Sequence, residues 1–434
     1  MLRELLLKNK AGETVGIPSY CTSNTLVIEA LMQHALETDY PLLFEATANQ
    51  VNQFGGYTGM LPAGFRDQVY AIADRIGIDR GRIILGGDHL GPLTWSDLPE
   101  AEAMTNAREL VRLFAEAGYS KIHLDTSMRL ADDNPDQPLS DETIARRGVE
   151  LYRVAMDAYE LLKQDHPDAV RPSFIIGSEV PIPGGEQEAE DSLQVTTPDA
   201  LIKTLNVYKD TFAAQGVADG FEDVIAVVVQ PGVEFGSDSV HVYNPAKAAD
   251  LTRTMRQIPS IVMEGHSSDY QPVEALTQMV EDGVGILKVG PGLTFALREA
   301  LFALSAIEAI LIPQDQRANV PAKLEAAMLA DPKNWIKHYH GNEQKLQVER
   351  AHSLSDRARY YIGADEVTQA IDRLIENLNG ADIPLGLLHQ YLPAECEALI
   401  ASGEPVDVQR LITEHISIQA RIYEGACFSQ YKAE

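Results

Sequence analysis

The chain has 434 residues, with 35 basic and 64 acidic side chains and a formal net charge of −29. A surface this acidic repels nucleic acids and anionic membranes, so we expect neither as a partner. No apolar run approaches the roughly 20 residues that span a bilayer, and the N-terminus lacks the cleavage site of a signal peptide.

Eight short runs rich in Val, Ile and Leu alternate with helical patterns along most of the chain. Such runs are typical of parallel strands that are covered on both faces. The alternation predicts an α/β fold, a (β/α)8 TIM barrel over residues 1–312. The predicted strands are 15–21, 41–47, 82–88, 121–126, 174–180, 224–230, 260–266 and 285–290, and the predicted helices are 26–37, 101–117, 141–163, 198–215 and 294–310.

Strands no longer recur after residue 313, and helical patterns continue at 322–329, 365–378 and 406–423. We therefore predict a C-terminal helical extension over residues 313–434. This extension would cover the barrel, extend the rim of the active site or form a subunit interface, including that of a homo-oligomer. The sequence does not choose among these roles.

The three cysteines, Cys21, Cys396 and Cys427, are far apart in the sequence. An odd number of distant cysteines indicates reduced thiols in a cytoplasmic protein. Cys21 lies at a predicted strand end, where a site role is open, but a buried structural thiol is favoured.

Polar side chains follow the predicted strands at the end of the barrel where TIM-barrel enzymes carry their active sites. Histidine nitrogen and carboxylate oxygen are natural ligands of zinc, manganese, cobalt and nickel. We predict a divalent-metal site made of His89, Glu179 and His266, with Glu264 as a competing ligand. Asp88, next to a predicted ligand, is the candidate acid/base, and Glu264 is the second candidate.

A loop rich in amides and glycine follows the second strand, over residues 49–60. Amides suit sugar hydroxyls, and adjacent glycines permit close approach of the backbone to a ligand. The predicted substrate-binding residues are Asn49, Asn52, Gln53, Gly55 and Gly56 in this loop, together with Asp125 and Gln230 at the ends of the fourth and sixth strands.

A glycine-containing turn after the eighth strand opens the last barrel helix. Phosphate groups often lie near strands seven and eight of such barrels, at a helix N-terminus. Lys288, the backbone near Gly290 and the Thr294 hydroxyl are therefore candidate phosphate contacts, and an ordinary glycine turn is the alternative. Arg357 and Arg359 in the extension are a further candidate contact, but a solvated helix face is favoured for them.

Two catalytic motifs are missing from the sequence. There is no GxxxxGK[ST] phosphate loop, which argues against an ATP-dependent kinase, and there is no GxSxG nucleophile motif.

Four sequence strings resemble the tagatose-bisphosphate aldolase Z-subunit family, and the resemblance extends over nearly the whole chain. This family is similar to the class II aldolases, which are zinc-dependent barrels acting on ketose bisphosphates. The strings are EATANQVNQFGGYTGM at 45–60, LGGDHLGP at 85–92, VQPGVEF at 229–235 and LKVGP at 287–291.

The resemblance assigns roles residue by residue. Asp88 and His89 match the aldolase catalytic aspartate and first metal histidine, and Glu179 with the glycines at 184–185 matches the aldolase glutamate and its following glycines. Two positions depart from the aldolase pattern. Gln230 stands where the aldolases have a metal histidine, and Glu264 stands at their next histidine position, with His266 two residues on.

The family resemblance implies two functions in galactitol- or tagatose-type sugar catabolism. The first, which we favour because of the polar residues at the strand ends, is a metal-dependent 4-epimerase interconverting D-tagatose 6-phosphate and D-fructose 6-phosphate. The alternative is a non-catalytic Z subunit that stabilises a class II D-tagatose-1,6-bisphosphate aldolase. A third hypothesis, epimerisation of a hexuronate or free ketose, would make Lys288 and Thr294 dispensable. Two epimerase mechanisms remain open, retro-aldol cleavage with rotation of the aldehyde and proton transfer on opposite faces.

Overall fold

The computed structural model describes residues 1–178 and 193–429. Eight parallel strands close into a barrel in the order β1-β10-β9-β6-β5-β4-β3-β2, and a short antiparallel hairpin, β7–β8, follows β6. The predicted TIM barrel is therefore confirmed. The strands are β1 (Ile17–Cys21), β2 (Leu42–Thr47), β3 (Ile83–Leu90), β4 (Lys121–Leu124), β5 (Ser173–Ile176), β6 (Val224–Val229), β7 (Glu234–Phe235), β8 (Val240–His241), β9 (Val262–Gly265) and β10 (Val284–Val289).

Nine α-helices belong to the part of the described chain that carries the barrel strands. Four of them, α1, α3, α7 and α8, have no counterpart among the helices predicted from sequence. The helices are α1 (Leu2–Lys10), α2 (Thr25–His34), α3 (Pro62–Ile76), α4 (Glu100–Glu116), α5 (Asp141–Asp165), α6 (Pro198–Ala214), α7 (Pro245–Gln257), α8 (Val273–Glu281) and α9 (Pro291–Leu311).

Several helices begin at a residue that caps their free backbone N–H groups. The side chains of Asn24, Ser140 and Thr197 accept hydrogen bonds from the first turns of α2, α5 and α6. These caps fix the strand-to-helix loops. They hold the chain at the end of the barrel where the strands terminate, which is also where the polar residues gather.

Only helices follow α9 in the described chain. They are α10 (Val320–Ala330), α11 (Glu343–His352), α12 (Asp365–Asn379), α13 (Leu385–Tyr391), α14 (Pro393–Ser402) and α15 (Val408–Phe428).

The last helix, α15, packs against α2, α8 and α9 and contacts β1. Its carbonyl at Cys427 accepts a hydrogen bond from the Gly16 N–H just before β1. The apolar side chains of the barrel and of the extension form one continuous cluster. Among the described residues, no helix has the length and apolar character that crossing a membrane requires.

Candidate active site

A cavity of about 830 Å³ opens at the C-terminal end of the strands. Its walls come from the ends of β1, β2, β3 and β10, from the loop after β9, and from the extension. The polar lining residues from the barrel include Cys21, Thr47, Asn49, Gln50, Asp88, His89, His266, Asp269, Lys288 and Thr294, and those from the extension include Asp331, Lys333, Asn334, Arg359 and Tyr360.

Four buried side chains, Asp88, His89, His123 and His266, bring their ligand atoms within 4.8 Å of one another. We call them the DHHH cluster. It contains two of the predicted metal ligands, His89 and His266. The third, Glu179, lies outside the described residues. His123 was not among the predicted ligands, although its position one residue before the end of β4 is a signal that it faces the barrel interior.

His89 is held in an unusual backbone conformation, with a φ of 48°. A non-glycine residue rarely adopts a positive φ, and such strain concentrates at functional sites. The His89 Nδ1 lies 2.7 Å from Asp125 Oδ2, and Ser127 donates to the other Asp125 oxygen. Burial alone would raise the pKa of Asp125, but the His89 hydrogen bond lowers it to about 2. Asp125 is absent from the cavity lining, so we expect it to orient His89, and substrate binding by Asp125 stays a prediction.

His123 offers a direct test of whether the DHHH cluster fits a metal ion. Its Nδ1 lies 3.0 Å from Asp88 Oδ1 and 3.3 Å from the His89 backbone nitrogen, while its Nε2 is buried without a hydrogen-bond partner among the described residues. When Nδ1 donates to Asp88, Nε2 carries a free lone pair of the kind that metals bind. Three imidazoles are a donor set suited to zinc and to the other late first-row divalent ions, and Asp88 adds a negative charge beside them. The residues therefore fit such an ion.

Below the DHHH cluster, the barrel interior contains a chain of ion pairs. The Lys288 Nζ lies 2.8 Å from both Asp88 and Glu45, and the Lys121 Nζ lies 2.7 Å from Glu45 and 2.8 Å from Glu264. Three carboxylates thus face two ammonium groups, which leaves one net negative charge when the histidines are neutral. A bound cation would balance that charge in a region where unpaired charge is costly. Neither Glu45 nor Lys121 was among the site residues predicted from the sequence.

Glu264 differs from its predicted role as an acid/base. It is fully buried, it is absent from the cavity lining, and it contacts Lys121 and, at 2.9 Å, the His266 Nε2. Burial alone would raise its pKa, but Lys121 holds the pKa well below its usual range. Because Glu264 has no face on the cavity and contacts His266, we expect it to orient that imidazole, and its role as an acid/base stays a prediction.

The amide loop after β2 contributes fewer contacts to the cavity than predicted. Asn49 and Gly56 line it, whereas Asn52, Gln53 and Gly55 do not. The Asn52 Oδ1 accepts hydrogen bonds from the Phe54 and Gly56 N–H groups, and Gln53 donates to the Asn106 carbonyl. Gly56 has a φ of 56°, and a Cβ there would lie 2.3 Å from the Gln50 carbonyl oxygen. Asn52 therefore shapes the loop, and its contact with sugar stays a prediction.

The Gln230 side chain also forms hydrogen bonds with the backbone. Its Oε1 accepts hydrogen bonds from the N–H groups of Gly232 and Val233, and it is absent from the cavity lining. The long polar side chain at a strand end suggested substrate binding, but the local turn uses its oxygen.

The turn predicted to hold phosphate already contains carboxylates. Asp269 Oδ1 accepts from the N–H groups of Gly290 and Gly292 at 3.0 and 2.7 Å, and the Thr294 hydroxyl donates to Asp356 at 2.6 Å. Burial raises the pKa of Asp269 to about 6. Gly290 and Thr294 line the cavity, but the Gly290 N–H and the Thr294 hydroxyl already donate to carboxylates.

The extension forms part of the cavity wall, one of the roles that the sequence left open. The prediction that its arginines lie on a solvated helix face was wrong, because Arg357 is buried and Arg359 is half-buried in a short 3₁₀ turn. Cys21 also differs from expectation. It is half-buried at the cavity, with its Sγ 3.7 Å from Asp88 Oδ2, and the cysteines are free thiols.

Comparison with known proteins shows the family of the chain. The model of the family described as "D-tagatose-1,6-bisphosphate aldolase subunit GatZ/KbaZ-like" matches residues 2–428. The solved structure of a probable tagatose 6 phosphate kinase from Sinorhizobium meliloti 1021 is 43% identical. That match covers 95% of this chain and 100% of the other, with a TM-score of 0.86.

Two aldolase structures are far more distant. The YdjI aldolase from Escherichia coli K12 is 13% identical, with a TM-score of 0.42, and the match covers 84% of this chain and 97% of that one. A fructose-bisphosphate aldolase from Campylobacter jejuni is 15% identical, with a TM-score of 0.44, over 87% and 91% of the two chains. Likenesses of this size say nothing about activity.

Proposed function

The chain belongs to the D-tagatose-1,6-bisphosphate aldolase subunit GatZ/KbaZ-like family, and we propose that it is a metal-dependent 4-epimerase interconverting D-tagatose 6-phosphate and D-fructose 6-phosphate. One observation carries the proposal. The DHHH cluster is buried at the cavity, and Asp88 within it pairs with Lys288, which also lines the cavity. A purely structural subunit gains nothing from burying so many ionisable groups at the base of an open cavity.

Within the DHHH cluster, His89, His123 and His266 would hold the divalent ion, and Asp88 would lie beside it. Such an ion, when bound, acts as a Lewis acid that polarises the oxygens of a ketose. The hydrogen bonds that His89 Nδ1 donates to Asp125 and His266 Nε2 donates to Glu264 would fix the orientation of two of the imidazoles.

Asp88 is the acid/base of the proposed reaction, because its carboxylate lines the cavity beside Lys288. In the retro-aldol route, Asp88 takes the proton of the C4 hydroxyl, and the C3–C4 bond breaks to give an enediolate and glyceraldehyde 3-phosphate. The aldehyde turns over, the bond forms again on the other face, and the proton returns to the C4 oxygen. In the direct route, a proton leaves C4 on one face of the sugar and returns to C4 on the opposite face.

Lys288 supplies fixed positive charge in either route. Its ammonium is buried between Glu45 and Asp88 and also faces the cavity, so it stabilises the negative charge that develops on substrate oxygens. A preorganised cation needs no solvent rearrangement at the moment of reaction.

The description of the family as an aldolase subunit favours a second candidate, the non-catalytic partner of a catalytic aldolase. In that case the DHHH cluster would be inherited from a catalytic ancestor. A kinase activity, which the name of the Sinorhizobium meliloti protein suggests, finds no support in a sequence without a phosphate loop.

Carbon-13 NMR of the purified protein alone with D-tagatose 6-phosphate and a divalent metal distinguishes these candidates. The epimerase proposal predicts that D-fructose 6-phosphate appears, that a chelator abolishes its formation, and that Asp88→Asn abolishes it while metal stays bound. No turnover with any first-row divalent metal would contradict the proposal and favour the aldolase partner.

A further inference from the structure

Arg359 faces the cavity from the extension. It lies in the 3₁₀ turn Arg357–Tyr360, and its guanidinium lies 4.5 Å from the centroid of the Tyr360 ring. Tyr360 in turn packs edge-on against Tyr57 of the barrel, with ring centroids 4.7 Å apart. The arginine is therefore held by packing across the boundary between barrel and extension.

The Arg359 guanidinium has no carboxylate within ion-pair distance among the described residues. It donates to the carbonyls of Ser355 and Asp356 and to the Tyr360 hydroxyl. The other two lysine or arginine side chains in the cavity lining are paired, Lys333 with Asp331 at 2.7 Å and Lys288 with two carboxylates. An unpaired cation is notable in a chain with 64 acidic and 35 basic residues.

The carboxylate nearest to Arg359 in the sequence, that of Asp356, already has two partners. The Asp356 oxygens receive Arg298 Nε at 2.9 Å and the Thr294 hydroxyl at 2.6 Å. Asp356 has a φ of 42°, in the left-handed region. This arrangement directs the Asp356 carboxylate toward α9. The charge of Arg359, which lines the cavity, is therefore not balanced by Asp356.

The turn after β10, which Asp269 occupies, gives a second and independent reason to place the phosphate near Arg359. Asp269 accepts from Gly290 and Gly292, so the helix N-terminus that barrels commonly offer to phosphate already holds an anion. A phosphate placed there would meet a carboxylate. The anion of the substrate must therefore lie elsewhere in the same cavity.

We propose that Arg359 binds the phosphate group of the substrate and makes the extension the part of the protein that selects phosphorylated sugars. This inference rests on the proposed function for the identity of the sugar. Guanidinium groups bind phosphate through paired N–H donors, which gives geometry as well as charge. In the retro-aldol route the phosphate is on the aldehyde fragment, so Arg359 would also retain that fragment while it turns over.

Isothermal titration calorimetry with D-fructose 6-phosphate and with D-fructose tests the proposal without requiring turnover. The wild type is expected to bind the phosphorylated sugar more tightly. Arg359→Gln is expected to weaken D-fructose 6-phosphate binding about 10- to 100-fold and to leave D-fructose binding unchanged, as for loss of a hydrogen-bonded charge. Arg153→Gln, an exposed arginine on α5, is the charge-matched control and should change neither affinity.

Arg359→Lys keeps the charge but loses the paired donors. It should bind D-fructose 6-phosphate with an intermediate affinity, and it replaces Arg359→Gln as the test variant if that protein does not fold.

Two results would overturn the phosphate site, namely equal wild-type affinity for the two sugars, or undiminished D-fructose 6-phosphate binding by both Arg359 variants. The epimerase proposal can fail independently of the phosphate site. If the wild type shows no epimerisation but Arg359→Gln still loses selective binding of the phosphorylated sugar, the phosphate site stands and the epimerase proposal fails.

Discussion

The Lys288 ammonium lies 2.8 Å from the Asp88 carboxylate, and both side chains line the cavity. The same ammonium lies 2.8 Å from Glu45 at the fully buried side of the pair. Lys288 therefore connects the candidate acid/base to the ion pairs in the barrel interior. Because these charges are buried, removal of one leaves its partners uncompensated.

Lys288→Met is accordingly expected to reduce both activity and stability. Without the ammonium, Asp88 and Glu45 are left as buried carboxylates, which costs about 3–5 kcal/mol in the free energy of unfolding. Loss of the preorganised cation is expected to lower kcat about 100-fold or more. Urea unfolding and the NMR epimerase assay measure the two effects. Lys288→Arg, which keeps the charge, should recover more of the stability than of the activity, and a fully stable Lys288→Met protein would contradict the assigned pairing.

His123→Gln tests the DHHH cluster as a metal site. This variant removes the Nε2 atom that has no hydrogen-bond partner within residues 1–178 and 193–429, so the metal content after reconstitution should fall well below that of the wild type. The measurement is elemental analysis of dialysed protein. Chelator should also lower the melting temperature of the wild type, because an ion that binds only the native state stabilises it. His340→Gln, at an exposed position in the extension, should keep the wild-type metal content, and equal content in both variants would exclude His123 as a ligand.

Asp125→Asn tests whether Asp125 orients a ligand. The variant keeps the shape of the side chain but removes the charge that His89 Nδ1 contacts at 2.7 Å. Loss of such a partner is expected to weaken metal binding about 10- to 100-fold. Competition with a metal-binding dye gives the affinity. If Asp125 bound substrate as the sequence suggested, the metal affinity would stay the same and the Michaelis constant for the sugar would rise.

The sequence predicted the barrel because its strands are local patterns. The run predicted at 224–230 is β6, Val224–Val229, and every residue of that strand is buried. Such a run needs no knowledge of the rest of the chain. The positions of Asp88, His89, His266 and Lys288 around one cavity follow from the same rule, since the strand ends of a barrel meet at one rim.

Contacts between residues that lie far apart in the sequence were not predictable in the same way. Lys121 was missed because its partners, Glu45 and Glu264, are on strands far apart in sequence. Asp269 fills the turn predicted for phosphate, and a glycine motif does not reveal which side chain approaches its N–H groups. The role of Arg359 depends on how the extension folds back, which hydrophobic periodicity alone does not determine.

A contact at the boundary between barrel and extension makes stability depend on pH. His415 on α15 lies 2.7 Å from Glu395 on α14 and 3.6 Å from Glu299 on α9. Burial alone would lower the pKa of His415, but the two carboxylates raise it to about 9 from an ordinary value of 6.5. A raised histidine pKa means that the folded state favours the proton. The stabilisation is therefore complete below about pH 6.5 and is lost as the pH rises through about 9.

His415→Gln should therefore lower the urea midpoint of unfolding at pH 6 and have much less effect at pH 9.5. The shift corresponds to a stabilisation on the order of 2 kcal/mol, after allowance for the partial exposure of the imidazole. The difference between wild type and variant removes the pH dependence that all other groups contribute. His352→Gln, which changes an exposed histidine on α11, is the matched control and should show no such decline. A His415→Gln effect of equal size at both pH values would mean that the imidazole stabilises the boundary by packing and not by charge.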